Sequence, residues 1–157
     1  MSTQMSISPQ SATARGQQRW FFGMLAEVKA SGADTGGQYT LVEIAAPAGF
    51  QAPLHVHYRE DEGFYVLEGS VTIHVGEETV ELGPGQHAYG PRDVPHTFTI
   101  GPDGARMLWV LAPSGFEDFI EEVSVPAGAP TVPPASVVPP EDAAEIVLRH
   151  GMELLPD

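Results

Sequence analysis

Between Arg19 and Pro113, glycine and proline cut the chain into short apolar-rich segments. "RWFFGMLAEV", "QYTLVEIAA", "LHVHY", "GFYVLEGSVTIHVG", "ETVELG", "GQHAYG", "PHTFTI" and "ARMLWVLAP" follow one another, with turn clusters such as "SGADTGG" and "PAGFQAP" between the early ones. The segments are rich in β-branched and aromatic residues, which suit a pleated, half-buried surface. A helical bundle needs longer uninterrupted runs than 17 glycines and 15 prolines in 157 residues leave here. The pattern predicts an all-β sandwich or barrel. "EGS" after "FYVL" and "GEE" before "TVEL" read as hairpin turns, so the strands are expected to run mostly antiparallel.

The length fits one domain. Residues 1–16 are small and polar and read as a flexible tail, and residues 17–124 as the β-barrel. Residues 125–157 begin with "VPAGAPTVPPASVVPP", which holds too many prolines for a helix or a sheet interior and reads as an extended strap. "EDAAEIVLRHG" then predicts one short C-terminal helix, roughly Glu141–His150. Acidic residues open it, Arg149 and His150 close it, and Gly151 stops it. Ala143, Ile146 and Val147 would face the domain, packing the helix on the outside of the barrel as a cover.

Charge narrows the function. Twenty-one acidic against seven basic residues give a net charge of −14. Such a surface repels phosphate backbones and anionic membranes, so neither nucleic acid nor membrane is an expected partner. The absence of cysteine removes disulfides, zinc–thiolate sites and thiol nucleophiles. No secretory signal pattern and no apolar run near the roughly 18 residues of a membrane span are present, so a cytoplasmic protein is expected.

One stretch concentrates chemistry: "LHVHYREDEGFYVLEG", Leu54–Gly69. On a strand, residues i and i+2 point the same way, so His55 and His57 share a face. Glu62 opens the next segment and shares parity with Phe64 and Val66. His96 follows the Pro-bounded turn "GPRDVP" and shares parity with Phe98 and Ile100. If these strands are neighbours, three imidazoles and a carboxylate converge. That N/O donor set suits Mn, Fe, Co, Ni, Cu or Zn and does not choose among them. The bland reading of the same residues is a surface histidine pair followed by a solvated acidic turn, Glu60-Asp61-Glu62.

The combined spacings resemble the cupins, small β-barrels of jelly-roll type. Their first motif, G-x5-H-x-H-x3–4-E-x6-G, is matched at Gly49, His55, His57, Glu62 and Gly69. Their second, G-x5-P-x-G-x2-H-x3-N, is matched at Gly85, Pro91 and His96. Asp93 replaces its inner glycine and Ile100 its asparagine, and the Asp93 change is expected to alter the turn that presents His96. The likeness runs roughly from Trp20 to Val123. It implies one divalent transition metal held by His55, His57, Glu62 and His96, with Glu62 chosen over Asp61 because only Glu62 leaves six residues before Gly69. Glu60 and Asp61 are then expected to be solvated.

Within that family the compact form resembles the bacterial quercetin 2,3-dioxygenase-like group. The resemblance implies cleavage of a flavonol or similar enol-bearing aromatic with O2. Glu62 would be both ligand and catalytic base, its pKa raised by an apolar surround of Phe64, Val66 and Phe98. Phe64, Phe98, Met107 and Trp109 are candidate pocket residues, although such residues more often form core. Two alternatives stand beside this reading: a metal-dependent isomerase or cyclase of a polyketide-like substrate, and a cupin that binds a small molecule without catalysis. His74, His87 and Arg92 read as surface residues, as does Arg59, and His150 as a helix terminus. An open sheet edge near Trp20–Leu25 would pair with a second copy to give a homodimer.

Overall fold

The computed structural model describes residues 16–157, so the tail expected over 1–16 lies, apart from Gly16, outside the described residues. Among the described residues ten strands form: β1 (Gln18–Phe21), β2 (Met24–Ala30), β3 (Thr40–Ala46), β4 (His55–His57), β5 (Asp61–Val75), β6 (Glu78–Leu82), β7 (His87–Gly90), β8 (His96–Ala112), β9 (Val125–Pro126) and β10 (Met152–Leu154). Three helices join them: α1 (Gly32–Thr35), α2 (Phe116–Val123) and α3 (Ala143–Arg149). All pairings are antiparallel. The all-β, jelly-roll architecture expected from the sequence is the one found.

β5 and β8 are long and pair with each other from Asp61↔Ala112 to Val75↔His96. β3 runs along the second half of β8 and leads outward through β2 and β1 to β9. β4 meets the first residue of β8, and β10 lies outside β4. β7 and β6 flank the two halves of β5. The sheet therefore folds over across the middle of β5 and β8, and encloses Ile44, Phe64, Val66, Ile73, Phe98, Ile100, Met107 and Leu111, all 2% exposed or less.

The fold-over corrects one expectation. "EGS" is not a hairpin turn, because β5 runs through it with register shifts at Val66/Glu68 and Gly69/Val71. Bulges of this kind let one strand pass between two layers. Gly69 sits there at φ +78, and a Cβ on it would lie 1.9 Å from the Gly104 carbonyl oxygen. Only glycine fits that contact. "GEE" does form the expected turn, with Val75 paired to Glu78. "RWFFGMLAEV", read as one strand, is the hairpin β1–β2, with Phe22 and Gly23 both at positive φ in its turn.

Helices are more numerous than the single one expected. α1 makes one turn inside "SGADTGG". α2 places Phe116, Phe119, Ile120 and Val123 at i, i+3, i+4 and i+7, and buries all four. α3 starts two residues later than expected, buries Ile146 and Val147, and lies against α2, with Arg149 paired to Glu122 at 2.6 Å. The segment after it returns to the sheet as β10, which the sequence reading did not foresee.

The edge at Trp20 is not open. The strap pairs with it through Arg19↔Pro126 and Trp20↔Val125, and the Trp20 indole N–H donates to the Thr131 carbonyl at 2.8 Å. Part of the edge that a second copy would have met is thus covered by the chain's own strap. Among the described residues no helix is long and apolar enough to cross a membrane.

Candidate metal centre

The site is built from three strand ends. β4 presents His55 and His57 from one face, β8 begins at His96 directly opposite His55, and Glu62 is the second residue of β5. The His55 and His96 rings lie 4.4 Å apart, His55 and His57 5.1 Å, and His57 and His96 5.2 Å, the last pair stacked at 11°. One nitrogen from each imidazole falls within 4.8 Å of the other two, a spacing that could hold a metal ion. The Glu62 carboxyl reaches the same space, 3.3 Å from His96 Nε2 and 3.8 Å from His57 Nε2.

The ring orientations fit ligation. His55 Nδ1 lies 2.8 Å from the Pro53 carbonyl, an acceptor only, so Nδ1 carries the proton and the neutral ring keeps its lone pair on Nε2. His57 Nδ1 donates to Glu60 Oε1 at 2.7 Å, which likewise leaves Nε2 facing Glu62. His57 Nε2 and both nitrogens of His96 are buried with no hydrogen-bond partner among the described residues. Buried polar atoms are ordinarily satisfied, and a shared cation would satisfy these nitrogens.

In the turn before His96, aspartate stands at the inner position. Asp93 adopts φ +69, the left-handed region glycine favours and aspartate tolerates. Its N–H donates to the His57 carbonyl at 2.7 Å and ties the turn to β4. Ile100, at the asparagine position, is core.

Electrostatics corrects a second expectation. Burial alone would push the Glu62 carboxyl up, but the close approach of His96 and the charges of His57, His96 and His55 outweigh it, so its pKa lies below the usual carboxylate value rather than near neutrality. Burial, together with His96 and His57, lowers His55 to about 4. His57 goes the other way. Burial opposes its charge, but the bond to Glu60 and the charges of Glu62 and Glu60 hold its proton more tightly than in a free imidazole.

A family profile described as "Cupin domain" matches residues 41–111, which span β3 to β8 and contain all four of these residues. Residues 41–111 match the cupin domain. Over 102 residues, 65% of its length, this chain is 29% identical to the quercetin 2,3-dioxygenase of Bacillus subtilis (strain 168), and the match spans 30% of that protein's length. Among solved structures, an RmlC-like cupin from Shewanella frigidimarina NCIMB 400 superposes with a TM-score of 0.56 at 23% identity, over 76% of this chain and 97% of that one. Oxalate decarboxylase from Bacillus subtilis gives 0.57 at 20% identity, over 73% of this chain and 32% of that one. At these identities the two structures speak for the fold alone.

Beside the imidazoles lies a cavity of about 70 Å³. Phe98 and Trp109 line it. Phe64 and Met107 stand behind it in the core, Phe64 with its ring 5.5 Å from His96. The sequence reading missed the cover: Phe116 and Phe119 from α2, Val147 from α3 and Met152 from β10 close the space. For α2 the helical spacing of its four apolar residues was the signal. Met152 carried no comparable signal.

Among the remaining candidates, Glu60 is 4% exposed and bound to His57 instead of solvated, because the tight link from β4 to β5 turns it inward. Asp61 is partly exposed and pairs with Arg92 at 3.2 Å. His74 bonds Thr79 at 2.8 Å on the exposed strand face, and His87 is exposed in β7. His150 caps α3 and meets Glu122 at 2.9 Å. Arg59 lies across Gly151, where any side chain would collide with it.

Proposed function

We propose that this chain is a metal-dependent dioxygenase of an enol-bearing aromatic, in the manner of quercetin 2,3-dioxygenase. The observation that carries the reading is the convergence of three imidazoles and the Glu62 carboxyl at one end of an aromatic-lined cavity. The partial likeness to a quercetin 2,3-dioxygenase supports it.

In this reading His55, His57, His96 and Glu62 hold one divalent transition metal, drawn from Mn, Fe, Co, Ni, Cu and Zn. Bound there, it would supply Lewis acidity and, if redox-active, a route for dioxygen. The chain's own groups do the rest. Glu62, ionised at neutral pH, accepts the substrate hydroxyl proton. A carboxyl held below its usual pKa is a weak base, so it suits an acidic enol better than a simple alcohol. Phe98, Trp109, Phe116 and Phe119 present apolar faces that exclude water from the anion formed. The Trp109 indole N–H, buried without a partner among the described residues, is left to donate to a substrate oxygen.

The space of about 70 Å³ is well under the roughly 300–1,000 Å³ of a drug-sized ligand pocket. A flavonol therefore enters only if the α2–α3–β10 cover shifts. The same small volume favours, as a second reading, a more compact substrate. Proton transfer by Glu62 then suffices for an isomerase or cyclase. Oxygen uptake separates the two. The test is elemental analysis of protein purified without added metal, followed by oxygen consumption with flavonols and single-ring enols after loading with each metal. Uptake with any of them supports the dioxygenase, and substrate conversion without uptake supports the isomerase or cyclase. The homodimer stays a proposal, and light scattering in solution decides whether one forms.

A further inference from the structure

Glu60 lies within the x4 interval of the first motif, where the spacing asks for no particular residue. It is nonetheless buried, and its Oε1 accepts from His57 Nδ1 at 2.7 Å. Withdrawing a carboxyl group from water is unfavourable unless its oxygens find partners. Here the partner is a histidine of the candidate metal centre. Glu60 does not line the cavity beside that centre. Its far side borders a second cavity, about 400 Å³, together with Arg59, Asp118 and His150. Glu60 is therefore placed to act through His57 and not on a substrate in the first cavity.

The three histidines are held differently. The Nδ1 of His55 meets a backbone carbonyl, and the Nδ1 of His96 has no partner among the described residues. Of the three, His57 alone has its Nδ1 held by a side-chain carboxyl, while Glu62 stands 3.8 Å from its Nε2 and 3.3 Å from the Nε2 of His96. We propose that Glu60 is a positioning residue, fixing His57 in the Nδ1–H tautomer with Nε2 aimed at the centre and strengthening that nitrogen as a donor. The role rests on the metal-centre reading above. Outer carboxylates that grip a ligating imidazole orient the ring and raise its basicity, and their loss typically weakens metal binding about 10–100-fold.

The test compares wild type, Glu60→Gln and Glu60→Ala with Co(II) as the probe. Affinity is read by competition with a chelator and the ligand field by the visible spectrum. On metal-free protein, side-chain ¹⁵N shifts report the His57 tautomer. Glu60→Ala should bind Co(II) about 10–100-fold more weakly and let His57 populate both tautomers. Glu60→Gln, whose amide oxygen still accepts from Nδ1–H, should keep the tautomer, bind more weakly than wild type and shift the Co(II) bands. A role in folding alone would not move those bands. Glu60→Gln with wild-type affinity and spectrum overturns the proposal, and decides the matter if Glu60→Ala fails to fold. If wild type itself binds no Co(II), the metal-centre reading falls. The tautomer then judges Glu60 separately: an unchanged His57 signal in Glu60→Ala, or in Glu60→Leu if the alanine protein does not fold, overturns its positioning role, since neither side chain can accept from Nδ1–H.

Discussion

His55 and His96 are Cα partners across the β4–β8 pairing, and their rings stand 4.4 Å apart. The pair joins two motif segments that are distant in the chain. The strand pairing that closes this end of the barrel is thus also the contact that assembles the candidate centre. A metal held there would link β4, β5 and β8, and folding and metal binding would stabilise each other.

Removing one imidazole should break that link. His57→Ala is expected to lose most of the metal that wild type carries, and to lose the rise in melting temperature that metal confers on wild type. Elemental analysis and thermal unfolding, with and without chelator, check both. A full equivalent of metal in His57→Ala places the site elsewhere.

Acid should weaken the metal-free protein through His55. Its pKa is about 4 in the folded chain against an ordinary 6.5, so the unfolded state binds the proton more readily between those values. This contribution is neutral above pH 6.5 and destabilises increasingly as pH falls toward 4. His57, with a raised value, acts in the opposite sense at higher pH. In chelator-treated protein, His55→Ala should therefore show a flatter loss of stability from pH 6.5 to 4 than wild type. Urea unfolding across that range measures it. An equal slope in both proteins contradicts the assignment.

Gly69→Ala should damage the fold-over of β5. Its Cβ would meet the Gly104 carbonyl in a left-handed backbone conformation. The conformation alone costs a non-glycine residue about 1–2 kcal/mol, and a backbone collision adds to it. A loss of at least about 2 kcal/mol by urea unfolding is expected.

Truncation after Val123 should remove the strap, α3 and β10 together. The β1 edge at Trp20 and the cavity wall at Val147 and Met152 would be uncovered. The shortened protein should melt lower and self-associate through the freed edge. An unchanged melting temperature and particle size would show that these segments do not hold to the barrel.

The alternation of Glu62, Phe64 and Val66 and of His96, Phe98 and Ile100 was legible because a strand has period two and these faces are buried. The spacing of His55, His57, Glu62 and His96 was legible as a motif. Less could be read where the cause is tertiary. Gly69 looks like a hairpin glycine until the Gly104 carbonyl arrives beside it. Glu60 looks solvated because its partner, the Nδ1 of His57, is set by the fold of the link between strands. The lowered pKa of Glu62 depends on three imidazoles brought from two other strands, and local apolar neighbours alone suggested the opposite sign. Met152 reaches the cavity only because the chain returns from α3 to pair with His57.

The central claim is that Glu62 works at a metal centre as the group that takes the substrate's proton. Glu62→Gln preserves the side-chain shape and removes the acceptor. Metal content and oxygen consumption, measured on one metal-loaded preparation with an enol-bearing aromatic that wild type turns over, test it directly. The account predicts retained metal with turnover lower by about 10²–10⁴-fold. Retained metal with a near-wild-type rate would contradict it.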